Sequence, residues 1–226
     1  MRRRRVVIVV GVFLVTLALA AAASASCHPA RSALSGHWQD GWISTQPVGV
    51  CVTGSSANIT VYSPYVYSTS TSSAWVTLQN TATGRYGQIG WLKDSNGLHN
   101  FYQSQTVGLG RQGQYWGTPT IGDAPEYKVT FSSDAFHYFL DGVNWYTDAN
   151  TGFSGCDSAQ AGETLNYATQ MPGASNTHVD FMNASRREDT GWVDQDGSKV
   201  NSSTADYGYL KVSSHRLEIW DKACAN

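Results

Sequence analysis

A chain of 226 residues with 17 acidic and 15 basic side chains, a formal net charge of −2, has no surplus of positive charge to offer a nucleic-acid backbone or an anionic membrane. Glycine (22), tyrosine (12) and tryptophan (8) are plentiful and charges few, a composition that suits short strands joined by tight turns. The length suits a single sandwich domain, and no second domain is expected.

The chain opens with a basic stretch (residues 2–5), an apolar run (6–23) and Ala23-Ser24-Ala25, the small-x-small pattern of a cleavage site. Residues 1–25 therefore read as a signal peptide, with the mature, secreted protein beginning at Ser26. An uncleaved anchor and a lipoprotein acylated on Cys27 are the competing readings. Loss of the leader removes four arginines and leaves eleven basic against seventeen acidic residues, a net charge of −6. No membrane contact is expected after cleavage.

Residues 26–48 look like an irregular N-terminal arm that packs down through Trp38 and Trp42, followed by one domain over 49–226. Strand signals then recur at 50–53, 58–67 (interrupted by Pro64), 74–80, 85–93 and 98–106. A glycine-rich stretch, 107–122, reads as a long loop over one face. The clearest signal follows. Tyr127, Val129 and Phe131 alternate with polar residues, Ser132-Ser133-Asp134 interrupts, and Phe136, Tyr138 and Leu140 resume the alternation up to Asp141-Gly142, a strong hairpin signal. Further strands are expected at 164–171, 178–183, 191–194, 207–212 and 216–220, and no stretch beyond the leader has helical periodicity. About a dozen short strands in one domain imply two packed antiparallel sheets, a jelly-roll sandwich of all-β class.

Cys27, Cys51, Cys156 and Cys224 all follow the cleavage site and read as two disulfides. Of three possible connectivities, Cys27–Cys51 with Cys156–Cys224 is the preferred expectation. No cysteine or histidine spacing suggests a metal site, and no cofactor motif occurs. The Glu-x-Asp-x-x-Glu run of sandwich glucanases is missing, and Gly152-Phe153-Ser154-Gly155 is not a nucleophile elbow. Asp194-Gln195-Asp196-Gly197 reads as a polar turn in preference to a calcium loop.

Two residues suggest chemistry. Gln88 lies mid-strand between Gly87 and Gly90, on the face of Tyr86 and Leu92 and opposite Ile89 and Trp91. Glu163 differs from the other three glutamates of the mature chain in sharing strand parity with Leu165 and Tyr167, so it sits on a face that can be covered. Around them, Trp75-Val76, Gln88-Ile89-Gly90, Phe101-Tyr102, Gly122-Asp123, Lys128-Val129-Thr130, Glu163 and Phe181-Met182-Asn183-Ala184 follow one another in order. This succession, over residues 74–184, resembles the glutamic peptidases (eqolisins), secreted acid proteases on a concanavalin A-like sandwich. The chain departs from that pattern at Thr164, where the family's glutamate is followed by tryptophan, and at Gln103, where the family carries an acidic residue.

The resemblance implies an acid endopeptidase with Gln88 and Glu163 as its catalytic pair. Tyr86, Tyr102, Trp116 and Tyr167 are the substrate-binding candidates. The other reading, placed first on the sequence alone, is a non-catalytic extracellular module that binds a polysaccharide or cell-wall polymer. Tyr115, Trp116, Trp145 and Tyr146 would be its stacking platform, with Trp75, Trp91 and Trp220 in the core. In both readings the partner is an extracellular polymer, polysaccharide or polypeptide.

Overall fold

The computed structural model describes residues 27–44, 51–106, 110–149, 151–155 and 157–224; the expected signal peptide lies outside them. Fifteen strands run in chain order: β1 (Ser35–Ser44), β2 (Gly54–Ile59), β3 (Ser72–Asn80), β4 (Arg85–Asp94), β5 (Gly97–Thr106), β6 (Gly110–Trp116), β7 (Glu126–Ser132), β8 (Ala135–Leu140), β9 (Val143–Ala149), β10 (Asp157–Asn166), β11 (Val179–Glu188), β12 (Gly191–Asp194), β13 (Ser198–Asn201), β14 (Tyr207–Ser213) and β15 (Arg216–Asp221). They form two antiparallel sheets. One has the order β13-β1-β10-β3-β4-β5-β6, the other β14-β15-β11-β2-β7-β8-β9, with β12 paired to β11. The expected all-β sandwich is the observed fold.

The meander forms as its alternation requires. Ser133 and Asp134 (φ 51° and 57°) close the first hairpin and Asp141 and Gly142 (φ 48° and 77°) the second, each with both central residues left-handed. That geometry matches the twist of the flanking strands. Tyr127, Val129, Phe136 and Tyr138 turn inward against Trp42, Val76, Leu78, Ile89 and Trp91 of the other sheet, and all nine are buried in one core. Gly87 faces this core. A Cβ there would come within 2.7 Å of the Phe136 ring, so the glycine lets the two sheets approach and does not make room around Gln88. Gln160 bridges the layers in the same core: it accepts from Trp42 Nε1 (3.1 Å) and donates to the Ser56 carbonyl (2.9 Å).

Several expectations are corrected. Residues 35–44 of the supposed arm are β1, an interior strand between β10 and β13. Its polar and glycine-rich outer positions (Gln39, Gly41) hide the alternation that Trp42 signals on the inner face. The 107–122 stretch contains β6, an edge strand on β5. The two strands expected at 50–53 and 58–67 are replaced by one, β2, whose small serines and alanine are buried between neighbours. Trp220 leaves the core and stacks on His178 at 3.9 Å.

The disulfide expectation also changes, because Cys27 pairs with Cys224 across a Cα–Cα distance of 5.4 Å. The first and last described segments lie side by side. Arg31 is buried between the Tyr167 and Tyr207 rings and pairs with Asp221, which draws the two ends together. Cys51 is disulfide-bonded as well, and Cys156 lies outside the described residues.

Candidate active site

The seven-stranded sheet presents its outer face to a cleft of about 680 Å³. Register sorts this face into rows that run across the strands. The central row holds Gly41, Ala161, Trp75, Gly90, Phe101 and Tyr115. On one side lies a row of Ile43, Ala159, Thr77, Gln88, Gln103 and Gly113. On the other lie Gln39, Glu163, Ser73, Leu92 and His99. Trp75, Phe101, Leu92, Ala159 and Ala161 pack into a second small buried cluster, so the floor is apolar and both rims carry hydrogen-bonding groups.

Small residues let the floor close. A Cβ on Gly90 would sit 2.0 Å from the Ala74 carbonyl oxygen, and only glycine permits β3 and β4 to meet there.

Gln88 and Glu163 both line this cleft, on opposite sides of the central row. Four residues along the strand and two strand spacings separate them, about 16 Å between Cα atoms at ordinary sheet dimensions. The Gln88 amide donates to Gln103 Oε1 at 3.0 Å, and the same oxygen accepts from the Tyr86 hydroxyl at 3.1 Å. One Nε2 hydrogen of Gln88 is thereby used and a second is left to donate.

Glu163 has a 12% exposed side chain and two fixed partners. His37 Nδ1 lies 2.6 Å from Oε1, and Trp75 Nε1 donates to Oε2 at 3.2 Å. Among the described lining residues, His37 and Glu163 are the only members of the Asp, Glu, Lys, Arg and His set. Leu165 shares the cleft with Glu163, as strand parity requires, whereas Tyr167 lies past the end of β10.

The binding candidates divide. Tyr86 lines the cleft. Tyr102 also borders the cleft, but its side chain is buried in the inter-sheet core, stacked on Tyr138 and Tyr146 (4.9 and 4.3 Å), because its position on β5 alternates with Phe101 and Gln103. Trp116 packs against that core beside Trp145 at 5.7 Å. Tyr167 stacks on Trp38 and donates to Asp206, away from the cleft.

Sequence reasoning missed three contributors. Trp75 is buried as expected, yet its indole N–H serves the cleft. Gln103 stands out in the sequence only as a departure from the family pattern. His37 lay in the segment read as irregular, and a polar residue beside a tryptophan in a short alternation was the one signal available.

Beneath the Glu163 rim, on the inner face of β1, Asp40 is fully buried. One oxygen accepts from Asn201 at 2.8 Å and the other has no partner. Burial pushes this carboxyl up to about 7, against the opposing pull of Lys199 and the Asn201 hydrogen bond.

No family model and no curated protein matches the chain. Solved structures do. Scytalido-glutamic peptidase, crystallised with a peptide-based transition state analog, is 16% identical with a TM-score of 0.60, over 84% of this chain and 100% of that one. SCP-B, a member of the eqolisin family of peptidases in complex with the tripeptide Ala-Ile-His, is 17% identical with a TM-score of 0.55 over the same shares. At such identity the likeness speaks to fold alone: the chain is a concanavalin A-like antiparallel sandwich that resembles the glutamic peptidases.

Proposed function

We propose that the protein is an extracellular endopeptidase of the glutamic type, working through Gln88 and Glu163. The observation that carries this reading is the placement of both groups on one cleft face, on opposite sides of an apolar floor. With about 16 Å between their Cα atoms, the two side chains leave an open gap above the apolar floor. A peptide carbonyl and one attacking water fill such a gap.

Glu163 takes a proton from that water as its oxygen bonds to the carbonyl carbon. The second Nε2 hydrogen of Gln88 is donated to the oxygen on which negative charge develops. Collapse breaks the C–N bond, and the proton held by Glu163 passes to the leaving amine. Trp75 fixes the carboxylate from the floor. The disulfide and the fold likeness to secreted peptidases support an extracellular setting.

The test is hydrolysis of denatured protein by the mature chain across about pH 3 to 7, the span in which carboxylates and imidazoles titrate. Wild type should cleave and Glu163→Gln should not. Equal activity in the two removes the dyad from the reaction.

One observation favours a second reading, a polysaccharide-binding module. Trp145 and Tyr146 are exposed beside Trp116 at the edge shared by β6 and β9, where a sugar ring could stack. Retention on a glycan matrix, lost in Trp145→Ala and accompanied by no proteolysis, would establish it in place of the first.

A further inference from the structure

We propose that His37 is the positioning residue of Glu163, a role that rests on the peptidase reading above. The first argument is local backbone. From Trp38 to Ser44, β1 pairs residue for residue with β10, but Ser35 pairs with Asn166, which leaves one extra residue in β1 between Ser35 and Trp38. A bulge of this kind bends its strand and re-aims a side chain, and such bulges are frequent beside active sites. His37 sits in it, preceded by Gly36, where a Cβ would meet the Trp38 ring at 2.9 Å. His37 shares the cleft face with Gln39 by alternation, and beside this irregularity its imidazole meets Glu163.

The second argument is the geometry of the carboxylate. His37 Nδ1 engages Oε1 from β1, and Trp75 Nε1 engages Oε2 from β3, so strands on either side of β10 each hold one oxygen. With Nδ1 carrying its hydrogen, both contacts are donations to an ionised acid, and together they set the plane of the carboxyl group. The lone pairs not used in these contacts are thereby oriented for the water. No bond is made or broken at His37, and its Nδ1 proton stays in place throughout. The His37 side chain is 59% exposed, so its truncation should disturb the packing of the sheet little.

The experiment measures kcat and KM on one peptide substrate for wild type, His37→Ala and His37→Asn, after matched circular-dichroism melts show all three folded. A carboxylate left to swing by an ångström costs about 10- to 100-fold in rate. The expected result is a kcat loss of that size in His37→Ala with KM within about two-fold, partial recovery when imidazole is added to the buffer, and a smaller loss in His37→Asn, which keeps a donor. An unchanged kcat overturns the assignment. So does a loss that appears only in KM, or one that neither imidazole nor the asparagine variant recovers. A wild-type protein without peptidase activity overturns the peptidase reading and this role together; an active wild type with an indifferent His37→Ala overturns the role of His37 alone.

Discussion

Gln88 finds its partners within a hairpin, whereas Glu163 finds them across the whole chain. Tyr86 lies on the same strand as Gln88, and Gln103 lies on the next, 15 residues along. Glu163 depends on Trp75, 88 residues away, and on His37, 126 residues away. The amide rim therefore forms as soon as β4 and β5 pair. The carboxylate rim needs β1, β10 and β3 assembled in register. A site split in this way has one flank set by local pairing and one that exists only in the completed sheet.

Substitutions can break that contrast. The largest effect belongs to Glu163→Gln, which removes the proposed general base while keeping the shape; turnover should fall by more than about 100-fold, read as product formed from a quenched peptide. Next is Asp40→Asn, under the long-range flank. Its carboxyl keeps its proton up to about 7 in the folded protein and loses it near the ordinary 3.8 when unfolded. The folded state thus binds more protons between these values, and stability falls as pH rises from about 4 to 7. The full span is worth up to about 4 kcal/mol. Urea melts at both pH values should show this slope in wild type and a much flatter one in Asp40→Asn.

On the local flank, Gln88→Ala deletes the proposed oxyanion donor and should cost about 3 kcal/mol in kcat, roughly 100-fold, with stability nearly unchanged. The smallest change is expected for Gln103→Ala. It frees the Gln88 amide without removing it, so a kcat loss of a few-fold is expected, with single-turnover rates reporting it. If Gln103→Ala proved as damaging as Gln88→Ala, the local flank would be as interdependent as the distant one.

The same split decides what could be read from the sequence. The meander was legible because its alternation and its Asp-Gly turn act within 25 residues. The facing of Gln88 followed from parity against Ile89 and Trp91, which are fully buried. Glu163 stood out by parity as well, although its strand begins at Asp157, earlier than expected. What escaped depends on distant partners. β1 is a strand because β10 and β13 flank it, not because Gln39, Asp40 and Gly41 favour extended backbone. β13 has four residues and sits in a stretch read as turn and loop. Spacing of cysteines does not reveal which ends meet, and Arg31 needs Asp221 in view before it looks like anything but a surface charge.

The Cys27–Cys224 bond has a topological consequence. It closes nearly the entire described polypeptide into one covalent ring, joined at positions 197 residues apart. A single nick in any exposed connection within that ring opens it without releasing a fragment, since both pieces stay tethered through the sulfur bridge. A chain cut once in this way would still be recovered whole until a reductant is added.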